Sequence, residues 1–125
     1  MATYKEIKGV TVQTVDSDPV VNAGSWSSGG ALNTGKYGGY GVGSGNDNNL
    51  NVTGYSGPSR TNTVESYNGS SWTEVADLAT ARSTLCGAGA SDTSALAYGG
   101  YAPPGVQSVT EGWTVPEANS TITVS

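Results

Sequence analysis

The chain has 125 residues, one cysteine, no histidine and a net charge of −5, enough for one ordinary domain. The missing histidine excludes His-based triads, His metal ligands and His pH switches, and a single cysteine excludes an internal disulfide. Five basic residues against ten acidic ones argue against nucleic acid, and no apolar run is long enough to insert into a membrane.

The N-terminus, Met1 to Glu6, has no apolar signal region, so the expectation is a chain made in a cytoplasm and not exported by a cleaved signal. Residues 1–24 form an N-terminal arm. Tyr4, Ile7, Val10, Val12 and Val15 alternate roughly about Gly9, and Asp16-Ser17-Asp18-Pro19 marks a turn. The arm reads either as an edge-pairing strand or as a segment that docks the remainder onto a larger particle. Residues 25–115 are rich in small and turn-forming residues: Gly, Ser, Thr and Asn make up 47% of the whole chain, against 16% for Leu, Ile, Val and Phe. Paired with only 12% charged residues, this fits a turn-rich β protein better than a disordered polyelectrolyte. Its thin apolar stock looks marginal for a small domain standing alone.

An internal repeat of period 46 organises residues 25–115. Ser25-Trp26 falls on Ser71-Trp72, Leu32 on Leu78, Gly41 and Gly43 on Gly87 and Gly89, Gly54-Tyr55 on Gly100-Tyr101, and Glu65 on Glu111. Residues 25–67 and their counterparts share 11 identities in 43 ungapped positions, where chance would give about four. Lys36 with Arg82, Asn46 with Asp92 and Tyr67 with Trp113 keep their chemistry.

Each unit divides into four short strands. In the second unit these are Trp72–Val75, Thr84–Ala90, Ser94–Gly100 and Gln107–Trp113. Asn68-Gly69 signals a hairpin, because both residue types accept positive φ. The Gly-rich stretches at 40–45 and 86–90 suit a crowded inner strand. Val75–Arg82 is the only helix-like stretch and reads as a connection. Residues 116–125 read as a C-terminal tail strand, with Thr121–Val124 able to pair with the arm.

The units resemble kelch repeats, the four-stranded blades of β-propellers. Gly99-Gly100 stands where a Gly-Gly pair ends one strand, and Glu111-Gly112-Trp113 where a Glu-x-Tyr-like strand follows. The first unit has Thr53-Gly54, Glu65-Ser66-Tyr67, Asn68-Gly69 and Trp72, departing at the double glycine, and the second lacks the closing Trp. The wider pattern is similar to small kelch-like structural proteins of marine tailed bacteriophages. It is carried by Thr3–Ile7, Ser25–Thr34, Glu65–Trp72 and the tail Thr121–Ser125. That resemblance implies a virion component, made in the host cytoplasm.

Two blades cannot bury their faces alone. The chain opens with Met and runs past its last repeat strand, which favours assembly from several copies. The first blade is complete from about Thr34 to Leu78. The second, from about Arg82 to Val115, lacks its Trp-bearing outer strand, and the spare strand of that kind is Gly24–Leu32. The expectation is an all-β protein with two kelch-like four-stranded blades per chain, closing with other copies into a β-propeller. Gly24–Leu32 completes the last blade of the adjacent subunit. Four, six or eight blades are open, and a homotrimer with six is favoured. Interface residues are then Ser25, Trp26, Leu32, Val109, Glu111 and Trp113.

No catalytic, cofactor or metal residues are assigned. Asp16/Asp18 and Gly45–Asn49 carry oxygen ligands without EF-hand spacing and read as polar turns. Glu65 and Glu111 are repeat equivalents and read as structural. The glycines at 38–45 lack the helix a phosphate site needs. Cys86 has no basic neighbour in sequence and reads as a buried, inert thiol. Three glycosylation-like triplets, at Asn51, Asn68 and Asn119, are expected by chance here. The expected function is a non-enzymatic bacteriophage virion structural protein, a tail, fibre or capsid-decoration component. Its partners would be other virion proteins through the arm, and host-surface glycans. The alternative is an intracellular kelch-type protein-binding module.

Overall fold

The computed structural model describes residues 24–117 together with two N-terminal strands, β1 (Thr3–Ile7) and β2 (Val10–Thr14). These two strands pair with each other as an antiparallel ribbon, Ile7 opposite Val10 and Thr3 opposite Thr14. The expected turn at 16–19 and the tail pairing of Thr121–Val124 lie outside the described residues.

Every other sheet is antiparallel, and there is no helix among the described residues. The first repeat folds as a four-stranded meander: β3 (Tyr40–Gly45), β4 (Asn48–Ser56), β5 (Ser59–Tyr67) and β6 (Trp72–Val75). The second gives a three-stranded sheet, with β8 (Ser94–Tyr98) between β7 (Cys86–Ser91) and β11 (Thr110–Thr114). A small ribbon, β9 (Tyr101–Ala102) with β10 (Gly105–Val106), extends its hairpin.

The period of 46 holds in three dimensions. The isolated bridge Tyr37–Tyr55 recurs as Ser83–Tyr101, and the bulge between Gly43 and Gly45 recurs between Gly89 and Ser91. At the Gly-Gly position, Gly99 and Gly100 have φ of 67° and 95°. Their counterparts Thr53 and Gly54 have φ of 52° and 123°, so Thr53 adopts the left-handed backbone that the first glycine takes in the second unit. A side chain at Gly54 or Gly100 would meet a carbonyl oxygen 2.8 Å away, from Tyr37 or Ser83 respectively. The double-glycine departure is therefore one of residue and not of backbone.

Three details differ from the sequence reading. Strand 107–113 is interrupted: Gln107–Val109 is irregular, and the Gln107 side chain donates to the carbonyls of Ala102 and Gly105. The hairpin at Asn68-Gly69 has a four-residue loop. Only Gly69 takes positive φ, while the Asn68 carboxamide oxygen accepts hydrogen bonds from the Ser70 and Ser71 amides. Cys86 is exposed, not buried, because nothing among the described residues covers its face of the second sheet.

The two sheets stack face to face. Cross-strand register places Leu50, Val52, Val42 and Val64 on one face of the first sheet, here called the front. It places Ala95 and Ala97 on the opposite, back face of the second. These residues and Leu85 form one core, with Tyr40, Val75, Leu78 and Trp113 packed around it. Small residues on the second sheet let the bulky front face approach. A side chain at Gly87 would overlap the Tyr40 ring and the Leu96 carbonyl. The polar edge is stitched by Ser66 Oγ donating to Asp92 and the Asp92 amide donating to Asn48 Oδ1.

Candidate functional site

Both glutamates of the repeat are absorbed by structure. Glu65 is buried and faces Lys36 Nζ at 3.2 Å; its carboxylate also accepts from the Asn33 amide at 2.8 Å, the Asn33 side chain and the Thr34 amide. Burial pushes the Glu65 carboxyl upward, but the Asn33 amide, the Lys36 ammonium and the Thr34 amide outweigh it and hold the pKa below its usual value. The second unit repeats the clamp. Arg82, wholly buried, donates to Glu111 at 2.5 Å and to the carbonyls of Gly99 and Val109, and Glu111 accepts from the Ala79 amide. Each clamp pins the segment entering a sheet against that sheet's third strand in chain order. Among the described residues, no group of three His, Cys, Asp or Glu side chains is placed to hold a metal.

Arg60 lies outside both clamps. Its guanidinium lies between two rings, 4.9 Å from the Tyr55 centroid and 4.8 Å from that of Tyr101, and its Nε donates to Ser83 Oγ. Tyr37 stacks on Tyr55 at 5.2 Å, and Ser83 Oγ donates to the Tyr55 hydroxyl. This row of planar groups crosses from the first sheet to the second along one rim, with Tyr37 and Tyr101 both exposed. Arg60 pairs with no carboxylate among the described residues. Its counterpart in the second unit, Val106, is exposed, so the repeated sheet does not require a cation there. Sequence inspection missed this cluster, because its members are scattered and Arg60 breaks the repeat.

The residues expected at a subunit interface fall into two groups. Val109, Glu111 and Trp113 lie on or beside β11, the edge of the second sheet with no outer strand among the described residues. Trp113 is half-buried, and its Nε1 donates to the Asp92 carbonyl. Ser25 and Trp26 extend from the first blade outside any strand, and Trp26 is fully exposed, while Leu32 is half-buried.

The two units differ sharply in one respect. Leu50 is 1% exposed, and its repeat counterpart Leu96 is 47% exposed. The same holds for Val42, Val52 and Val64, all buried, against Ala88, Tyr98 and Thr110, all exposed. The front face that the first sheet buries against the second is, on the second sheet, uncovered among the described residues.

Compared with known proteins, the chain matches no protein-family model and no curated protein sequence.

Proposed function

We propose that the protein is a non-enzymatic structural component that assembles head to tail, the front face of its second blade covering the back face of the first blade of another copy. The observation that carries this reading is the contrast between Leu50 and Leu96. A position buried in one unit is left open in its twin, and burying one such side chain is worth about 1.5–3 kcal/mol. The heterologous contact closes into a ring when its rotation divides a circle. Three copies would give a six-bladed propeller. The resemblance to phage kelch-like proteins suggests its place: a virion tail, fibre or capsid surface, with the N-terminal arm contacting other virion proteins. A host glycan would meet the ring at the rim of Tyr37, Tyr55, Arg60 and Tyr101, where exposed rings offer stacking and a guanidinium offers donors.

Native mass spectrometry of the folded full chain tests the assembly. A mass of about 38 kDa is expected for three copies of the 12.6 kDa chain, and a folded single chain would end the proposal. Antibody labelling of purified phage particles tests the virion assignment, and a glycan array probed with the assembled protein tests the ligand.

A further inference from the structure

A cavity of about 210 Å³ opens beside β11, between the front of the first sheet and the back of the second. Its walls include Val64, Ala95 and Trp113, and the segment Ala76-Asp77-Leu78 closes one side. At the equivalent place on the first blade stands the Trp72 side chain. The Trp72 ring lies 4.8 Å from Tyr67, and its Nε1 donates to the Gly30 carbonyl at 3.1 Å. Subtracting or adding one period maps each of these groups. Trp72 corresponds to Trp26, Tyr67 to Trp113 and Gly30 to Ala76. Two of the three, Trp113 and Ala76, line the cavity; the third, Trp26, is the fully exposed tryptophan.

We infer that Trp26 of one copy fills this cavity in the next, stacking on Trp113 and donating its indole N–H to the Ala76 carbonyl. This rests on the head-to-tail reading and specifies its occupant. An apolar cavity of about 150 Å³ admits benzene, so this one has room for an indole. The register follows from the β5–β6 pairing, in which Tyr67 faces Trp72, Ser66 faces Thr73 and Val64 faces Val75. Shifted by the period, Trp113 faces Trp26 of the second copy, Gly112 faces Ser27 and Thr110 faces Gly29. The donated strand thereby covers the open edge of β11 and satisfies its unpaired backbone groups. Its root is already fixed: Gly30 sits so close to Ser70 and Ser71 that a side chain there would overlap the Ser70 carbonyl.

Two substitutions in the full chain test the inference. Trp26→Ala should raise the protein concentration needed for assembly about 100-fold or more and leave the far-UV circular dichroism of the single chain unchanged, since Trp26 touches nothing there. Ser27→Cys with Gly112→Cys, in a Cys86→Ser background, should form covalent species between copies on mild oxidation. An assembled wild type whose W26A variant assembles equally well overturns the Trp26 assignment and leaves head-to-tail assembly standing. An assembled double-cysteine variant that yields no covalent species overturns the register. A wild type that stays a single chain overturns the assembly reading itself.

Discussion

Replacing Glu65 by alanine should be among the most damaging changes in the first blade. The substitution leaves the buried Lys36 ammonium with the Thr63 carbonyl at 3.3 Å as its remaining partner. Breaking a buried pair by removing one member costs about 3–5 kcal/mol, because the survivor is left charged and poorly solvated. The Asn33 and Thr34 amides also lose their acceptor, but Asn33 is exposed and water can replace part of that loss. A loss of about 3–5 kcal/mol is therefore expected from a total that seldom exceeds about 15. The assay is urea unfolding at pH 7, followed by tryptophan fluorescence at one fixed protein concentration, since assembly makes stability concentration-dependent. Glu65→Leu with Lys36→Met removes both charges, and should recover most of the loss. A cost below about 1 kcal/mol for the single change, the range of exposed ion pairs, would refute the view of Glu65 as a buried clamp.

Because the folded-state pKa of Glu65 lies below the usual value of 4.5, its contribution is fully present above that pH and is lost as the pH falls through the lowered value. Acid titration of the Glu65→Gln variant should therefore be flatter than that of the wild type, and parallel curves would contradict the shift. Gly54→Ala and Gly100→Ala should each cost at least about 1–2 kcal/mol, since both combine positive φ with a carbonyl 2.8 Å from the new Cβ. Gly105→Ala, with open space at its Cβ, should be close to neutral, and thermal melts of the three variants at one protein concentration check the contrast. Leu96→Asp should keep the single-chain fold but abolish assembly in sedimentation, whereas Leu50→Asp should unfold the chain; similar behaviour of the two would argue against an unsatisfied front face. Cys86, exposed in the single chain, should react with maleimide at least tenfold more slowly once copies assemble, and an unchanged rate would place it outside the contact.

Much of this architecture is legible in the residues. The spacing of Ser-Trp, Gly-Tyr and Glu carries the period, and the period correctly sets β6 at Trp72–Val75 and the four-stranded first sheet. What local pattern could not reveal arises from tertiary contacts. Thr53 is β-branched and lies within β4, yet the register shift between Val52 and Gly54 puts it at positive φ, which no local pattern signals. Gln107–Val109 alternates like a strand, but the Gln107 carboxamide bonds the β9–β10 hairpin. Cys86 reads as a buried thiol because it lies inside a strand of the repeat with no basic neighbour; only the stacking order shows that nothing among the described residues covers this face. The glutamates were recognisable as repeat equivalents, but their partnership with Lys36 and Arg82 needed a fold that brings positions 29 residues apart together.

The substitution of Val106 for Arg60 limits what symmetry any assembly can have. Sheets sharing one backbone plan would alternate around a ring in two chemical versions, one bearing a guanidinium between tyrosines and one bearing an isopropyl group. A ligand held by Arg60 would then occupy every second blade, and its valency would equal the number of chains. Duplication inside the chain thus frees one blade to diverge at its rim while both keep the glutamate clamp that holds them folded.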